Sequence, residues 1–349
     1  MDYGQLAEKG LDAFRRDRPD LVAVDTETPG VAFFDAPFAA TIAWLRNDGE
    51  VEAHYFELAD ADYSGHVRAI MAETQWVFHN AKFDLQKCLL AGILSRNEVT
   101  PDRFHDTEAL AHLQDADRIK KLKWLGEHLL GIPNTEQEEL KKAMRKHKLK
   151  LEDGYHLLPR EVLIPYAVQD VVLTIKLFHH IYDDVMRWPE LKALYHHEME
   201  LTLVLLDMEW RGMKLDLDYV DSTFEQLAKD YIVAERQLSS IVGKPIGPDP
   251  KAGEFNPDSS PQIKEFFVAL GYDTPFTTKQ GNPSYGKAFL ATCDHPISAA
   301  LTEYRRVAKL KNTYFLAMKR EQRDGILHPN LRQHGTRTGR MSSGTPEED

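Results

Sequence analysis

Leu21-Val22-Ala23-Val24-Asp25-Thr26-Glu27-Thr28 opens with four apolar residues that read as a buried strand, and two carboxylates follow at once, spaced i, i+2. Side chains at that spacing leave the same face of a strand. Two carboxylates held side by side repel unless a cation lies between them, and oxygen-only donors suit Mg2+ or Mn2+. An acidic turn after a strand would carry the same pair. In a chain with 55 acidic residues the reading therefore depends on what else is brought nearby.

Two further stretches supply that company. Trp76-Val77-Phe78 is a short apolar strand that turns into a helix through Phe78-His79-Asn80-Ala81-Lys82-Phe83-Asp84-Leu85, with Asn80 and Asp84 both near the turn. Tyr166-Ala167-Val168-Gln169-Asp170 sets a phenol and a carboxylate four residues apart, on one face of a helix. Read singly, Asp84 is a solvated helix residue and Tyr166 a core aromatic with a wet tip.

In this order the three stretches resemble the Exo I, Exo II and Exo III motifs of the DEDD 3′-5′ proofreading exonucleases, in the subgroup that carries tyrosine in the third motif. Asp25, Glu27, Asp84 and Asp170 match the acidic positions and Tyr166 the tyrosine. The resemblance implies an α/β fold, a ribonuclease-H-like mixed sheet, and hydrolysis of 3′-terminal nucleotides by two divalent metal ions, Mg2+ or Mn2+. It further implies that Asp25 bridges the ions, that Glu27 and Asp170 complete one site, and that Asp84 anchors the second. Tyr166 would orient the attacking water, and Thr26, Asn80 and Phe83 would position the terminal nucleotide.

Length and composition agree with that reading. At 349 residues and 42% hydrophobic content the chain supports two domains with real cores. Cys88 and Cys293 are too few for a disulfide framework, and the first thirty residues lack the basic and apolar regions of a signal peptide. No apolar run is expected to reach membrane-spanning length, so no membrane partner and a reducing, cytoplasmic setting in a bacterial or phage-infected cell are expected. The net charge of −12 is unevenly placed: residues 301–346 alone stand at +7, a basic segment on an acidic body, which suits a phosphate backbone.

Along the chain, residues 2–16 read as a helix with Leu6, Leu11 and Phe14 on its apolar side; Ala39 to Leu45 and Val51 to Phe56 are strands joined by the turn Asn47-Asp48-Gly49-Glu50. Asp62-Tyr63-Ser64 imitates a catalytic polymerase tripeptide but has no apolar strand before it, and reads as a loop or helix start. Helices are expected over 66–73, 83–91, 108–113, 122–130 and 161–179, the last with Leu163, Val171 and Ile175 toward the sheet. Asp106 reads as an N-cap rather than a further ligand. The Lys- and Arg-rich run from Glu138 to Lys150 reads as a solvated face, with a DNA-facing helix as the other reading. A domain boundary is expected near Trp188-Pro189, dividing residues 1–190 from 191–349. Beyond it, Met199, Leu203, Leu206 and Trp210 lie at helical spacing, and Val220 to Ile241 form a stripe that suits an intramolecular hairpin.

From Met199 onward the chain resembles the thumb and first palm strands of family A DNA polymerases. The resemblance rests on Met208-Glu209-Trp210-Arg211-Gly212-Met213, Phe255-Asn256-Pro257 with Ser260-Pro261-Gln262, Tyr304-Arg305 with Lys309-Leu310, Gly325-Ile326-Leu327-His328-Pro329, and Thr338-Gly339-Arg340-Met341-Ser342-Ser343. It implies a mostly helical thumb and partial palm, primer–template duplex as partner, and Arg337 and Arg340 near the DNA. That family's palm carboxylates and fingers helix follow the Thr-Gly-Arg stretch, so the residues given are expected not to polymerise alone. The strand-turn-strand over 325–343 is expected to leave an edge open for a second chain carrying palm and fingers. A ribonuclease D-like exoribonuclease shares the acidic and tyrosine positions but not the segment after 199; a DNA-clamping subunit with a vestigial site is the non-enzymatic alternative.

Overall fold

The computed structural model describes residues 3–149, 154–278 and 281–344, with side chains described from residue 9 onward. The side chain of Leu6, and Asp2, Lys150 and Glu347 to Asp349, fall outside the described part. The chain divides into two compact units: residues up to Gly212 together with those from His328, and Met213–Leu327.

The first unit is built on β1 (Leu21–Glu27), the middle strand of a five-stranded sheet of order β3-β2-β1-β4-β5. β2 (Ala39–Leu45) and β3 (Val51–Glu57) run antiparallel to their neighbours, whereas β4 (Gln75–Phe78) and β5 (Phe104–Asp106) run parallel to β1 and to each other. Val22, Ala23 and Val24 have no exposed surface, as expected of a strand covered on both faces. Across the β1–β2 pair Asp25 faces Thr41 and Glu27 faces Ala39, so small residues flank the carboxylates. α1 (Tyr3–Asp17) precedes the sheet; α2 (Ala61–Glu73) and α3 (Ala81–Leu90) alternate with strands. Asp62-Tyr63-Ser64 lies in the first turn of α2, which Asp60 caps by accepting the Asp62 N–H at 2.9 Å.

α4 (Thr107–Gln114) and α5 (Leu122–Leu130) follow β5, then α6 (Thr135–His147) and the long α7 (Arg160–Met186). Leu163, Ala167, Val171 and Ile175, four apart in succession, form a fully buried stripe on α7, and the Thr41 hydroxyl donates to the Ala167 carbonyl at 3.3 Å. By length and composition α7 is apolar enough to cross a membrane, which corrects the expectation that no such run exists. A helix that covers a buried sheet satisfies the same test. On α6 the lysines are exposed while Leu140 and Met144 are buried in one cluster with Leu158 and Tyr166.

α8 (Pro189–Arg211) begins where a domain boundary was expected, yet it belongs to the first unit. Tyr195, Met199, Leu203 and Leu206 share the core of the sheet. The buried Tyr195 hydroxyl accepts the Asp106 N–H at 3.1 Å and lies 3.1 Å from His105 Nδ1, and Arg96 grips Asp207 through two bonds of 2.6 and 2.8 Å. Helical spacing identified the apolar face but not the core that receives it, so the first stretch of this compact unit runs to Gly212 rather than to 190.

The second unit pairs β6 (Met213–Lys214) with β7 (Ile326–Leu327) and is otherwise helical: α9 (Leu217–Val242), α10 (Ser260–Ala269), α11 (Lys287–Thr292), α12 (Pro296–Ala308), a π-helical turn Lys309–Phe315 and α13 (Leu316–Glu321). The expected stripe on α9 is used within the chain: Ala234 and Leu238 join Phe267, Phe289 and Leu301 in one core, and the Tyr231 and Tyr304 hydroxyls meet at 2.7 Å.

From His328 the chain is again in the first unit, where β8 (Leu331–Arg332) pairs with β9 (Ser342–Ser343). The expected strand-turn-strand is thus a two-stranded ribbon, and polar anchors hold it. The Leu331 N–H donates to Glu209 Oε1 at 2.6 Å, and Gln333 Nε2 donates to the Glu198 carboxylate at 3.0 Å.

Burial holds His105 and His112 down at about 4. Since imidazole in the unfolded chain titrates near 6.5, the stability carried by these neutral rings is complete above that pH and is lost as pH falls toward about 4. Thermal melts between pH 6.5 and 5 are expected to show a shallower fall for His105→Asn than for the parent; parallel curves would contradict the assignment.

Candidate active site

The carboxyl end of β1 gathers the residues that the sequence reading paired. Asp25 and Glu27 leave the same face of the strand, and Asp84 reaches it from the first turn of α3. Asp84 Oδ1 accepts both the Thr26 N–H at 2.9 Å and the Thr26 hydroxyl at 2.6 Å. Thr26, expected to touch substrate, thus fixes a carboxylate. Asp170 and Tyr166, one turn apart on α7, are both 6% exposed.

Asn80 stands at the turn before α3 with a left-handed backbone, φ 68°, which asparagine tolerates better than most side chains. Its side chain does not cap the helix. Asp106 does so instead, accepting the N–H groups of Asn80 at 3.1 Å and Ala81 at 2.8 Å, and it also caps α4 through Glu108 N at 2.8 Å. The N-cap reading of Asp106 therefore describes its geometry, and the exposed Asn80 side chain is left to face a cleft. That cleft, of about 360 Å3, is lined by Lys82, Arg118, Lys120, Lys121 and Arg332, with Asp106 and Glu108 as counter-charges. Phe83 is half-buried beneath the Lys87 ammonium, 5.0 Å from its ring centre.

The electrostatics follow from crowding. Burial, and then the charge of Asp25, push Glu27 up to about 8. The same causes in the same order raise Asp84 well above the usual carboxylate range, against the opposing bonds from Thr26. Buried acids that discourage one another's ionisation would be relieved by a divalent cation, and the donors are all hard oxygens, so these residues fit a Mg2+ or Mn2+ centre. As the side chains stand, no group of three or more acidic, histidine or cysteine residues converges on one point among the described residues.

A residue that the motifs did not point to stands among these groups. Lys123, in the first turn of α5, is 6% exposed; its ammonium pairs with Asp170 and lies 4.5 Å from the Tyr166 ring centre. Nothing in Leu122-Lys123-Trp124-Leu125 marks it, because a lysine beside an apolar stripe is usually solvated. Leu140 and Met144 of the basic helix were likewise missed as the cover over Tyr166. Arg337 and Arg340 are not gathered with the carboxylates: both are exposed, and Arg337 pairs with Asp117 at 3.1 Å.

Residues 8–185 match the family model described as 3′-5′ exonuclease, and residues 218–347 match that of DNA polymerase family A. A DNA polymerase I from Chloroflexus aurantiacus is 29% identical over 278 residues, 77% of this chain and 28% of that protein. DNA polymerase I from Pseudomonas aeruginosa is 26% identical over 99% of this chain and 38% of its own length, and DNA polymerase DpoZ of Vibrio phage phiVC8 is 26% identical over 93% of this chain and 54% of its own. The chain therefore spans little more than half the length of these relatives at most. In fold it is similar to the solved POL domain of Pol1 from M. smegmatis in complex with DNA primer-template and dNTP, with a TM-score of 0.64 and 20% identity over 99% of this chain and 54% of that one. The chain belongs to the family A DNA polymerases and carries that family's 3′-5′ exonuclease domain ahead of a segment of its polymerase domain.

Proposed function

We propose that the chain is the proofreading part of a DNA polymerase I-like enzyme, removing 3′-terminal nucleotides from DNA by metal-dependent hydrolysis during replication or repair in a bacterial or phage-infected cell. The observation that carries this reading is the linked set of buried acids at the end of β1: the charge of Asp25 acts on both Glu27 and Asp84, and the Lys123 ammonium that pairs with Asp170 and lies over Tyr166 acts on Glu27 as well. The four carboxylates would hold two Mg2+ or Mn2+ ions. Such a pair, when bound, lowers the pKa of water and stabilises charge on the departing oxygen. Thr26 keeps Asp84 in one rotamer through its two donors. Tyr166, walled in by Leu140 and Met144, presents its phenol to the attacking water, while Phe83 and Asn80 border the terminal nucleotide. The polymerase match over 218–347 favours DNA over the ribonuclease D-like alternative.

The cleft beside Asn80 suits the phosphates of a single strand approaching the site, because the cations that line it outnumber the carboxylates. Residues 191–349, which resemble a thumb and partial palm, would carry the primer–template duplex, with Arg337 and Arg340 on an exposed turn of the ribbon.

Replacing Asp25 and Glu27 together by alanine is expected to lower Mg2+-dependent release of 3′ nucleotides from a single-stranded oligonucleotide by several orders of magnitude, with binding retained. Tyr166→Phe is expected to lose about 10²- to 10⁴-fold in turnover. Undiminished cleavage in the double variant would refute the site. In a separate salt titration, Lys120→Ala with Lys121→Ala is expected to weaken single-strand binding and reduce the slope of log K against log salt by roughly 1 to 1.5; an unchanged slope would remove the cleft from the DNA path.

A further inference from the structure

The proposed chemistry leaves one charged group in the site without a task. Lys123 is buried, its ammonium pairs with Asp170, and it sits over the face of Tyr166, 4.5 Å from the ring centre. Its positive charge also acts on Glu27, opposing burial and Asp25. A single cation thus touches or acts on three of the five motif residues, from a helix that carries none of them.

We propose that Lys123 is a positioning residue that competes with divalent cations for the Asp170 carboxylate, holding Asp170 and Tyr166 in place until an ion draws that carboxylate away from the ammonium. The proposal rests on the metal-site reading of these acids given above. Three physical points lead to it. A buried ammonium and a buried carboxylate each need an opposite charge, and here each has the other. A divalent ion and the ammonium draw on the same oxygens and repel one another, so whatever factor the ion takes from the lysine pairing, the lysine takes from ion binding. Lysine is suited to giving way: its charge sits on a flexible four-carbon stem, and the Tyr166 ring offers it a second contact. Arginine in its place would grip the carboxylate with a planar fork and release it less readily.

Calorimetric Mn2+ titration of the full chain tests this without reference to activity. Lys123→Met, which keeps the stem's packing, is expected to bind Mn2+ about tenfold more tightly than the parent and to need less Mg2+ for half-maximal turnover. Its metal-free melting temperature should fall and be restored by Mn2+. Lys123→Arg is expected to shift the other way, binding Mn2+ severalfold more weakly, and it serves if the methionine variant does not fold without metal. Affinity unchanged in both variants, or weakened in Lys123→Met, would overturn the competition and leave Lys123 as a structural ion pair. The parent's Mn2+ affinity surviving in Asp25→Ala with Glu27→Ala would overturn the metal-site reading itself, a failure distinct from the first.

Discussion

Glu27 and Asp84 are buried within reach of the charge on Asp25, and both desolvation and repulsion oppose their ionisation. Much of the surrounding structure answers that constraint. Thr26 turns its backbone and side-chain donors on Asp84, β2 offers Thr41 and Ala39 opposite the carboxylates where larger side chains would crowd them, and α5 delivers the Lys123 ammonium to Asp170. Hydrogen bonds and an ion pair compensate buried charge only if their geometry is maintained, which is why the site sits on a central strand and two core helices rather than on loops.

The same unit shows how sequence families and compact bodies can divide a chain differently. The exonuclease match ends at 185 and the polymerase match begins at 218, yet α8 and the residues from His328 pack with the exonuclease sheet. Glu209 on α8 takes part in this union: its carboxylate pairs with the buried Lys82, beside the motif on α3, and accepts the Leu331 N–H, while its carbonyl lies 2.8 Å from His328 Nδ1. His328 stacks on Phe33 at 4.0 Å between ring centres, and Lys87 donates to the Ala32 carbonyl at 2.7 Å. The loop that follows the Asp25 strand is therefore gripped both by α3 and by the segment returning from the second unit.

The basic helix α6 illustrates a division of labour within one element. Its lysines face solvent, as charge runs usually do, while Leu140 and Met144, one turn apart, close over Tyr166. A solvated outer face and a role at the active site are thus compatible, because the two reside on opposite sides of the helix.

The strand, the turn into α3 and the α7 face were legible in the sequence because each depends on a local period: two for Asp25 and Glu27, about four for Tyr166 and Asp170. The five motif residues and the burial of the strand were read from those periods together with the family pattern, whereas its place in the middle of the sheet was not. What periodicity cannot express is which core receives an apolar face, so α8 was read as a helix but assigned past a boundary, and the membrane-length character of α7 went unremarked. Nor can it express the partner of a polar group across a long separation. Thr26 holds Asp84 at a distance of 58 residues, Glu209 holds Lys82 at 127, and Lys123 meets Asp170 from another helix. The pattern of single residues determined the chemistry available to this chain; only tertiary packing, which sets desolvation and brings remote charges together, decided how that chemistry is balanced.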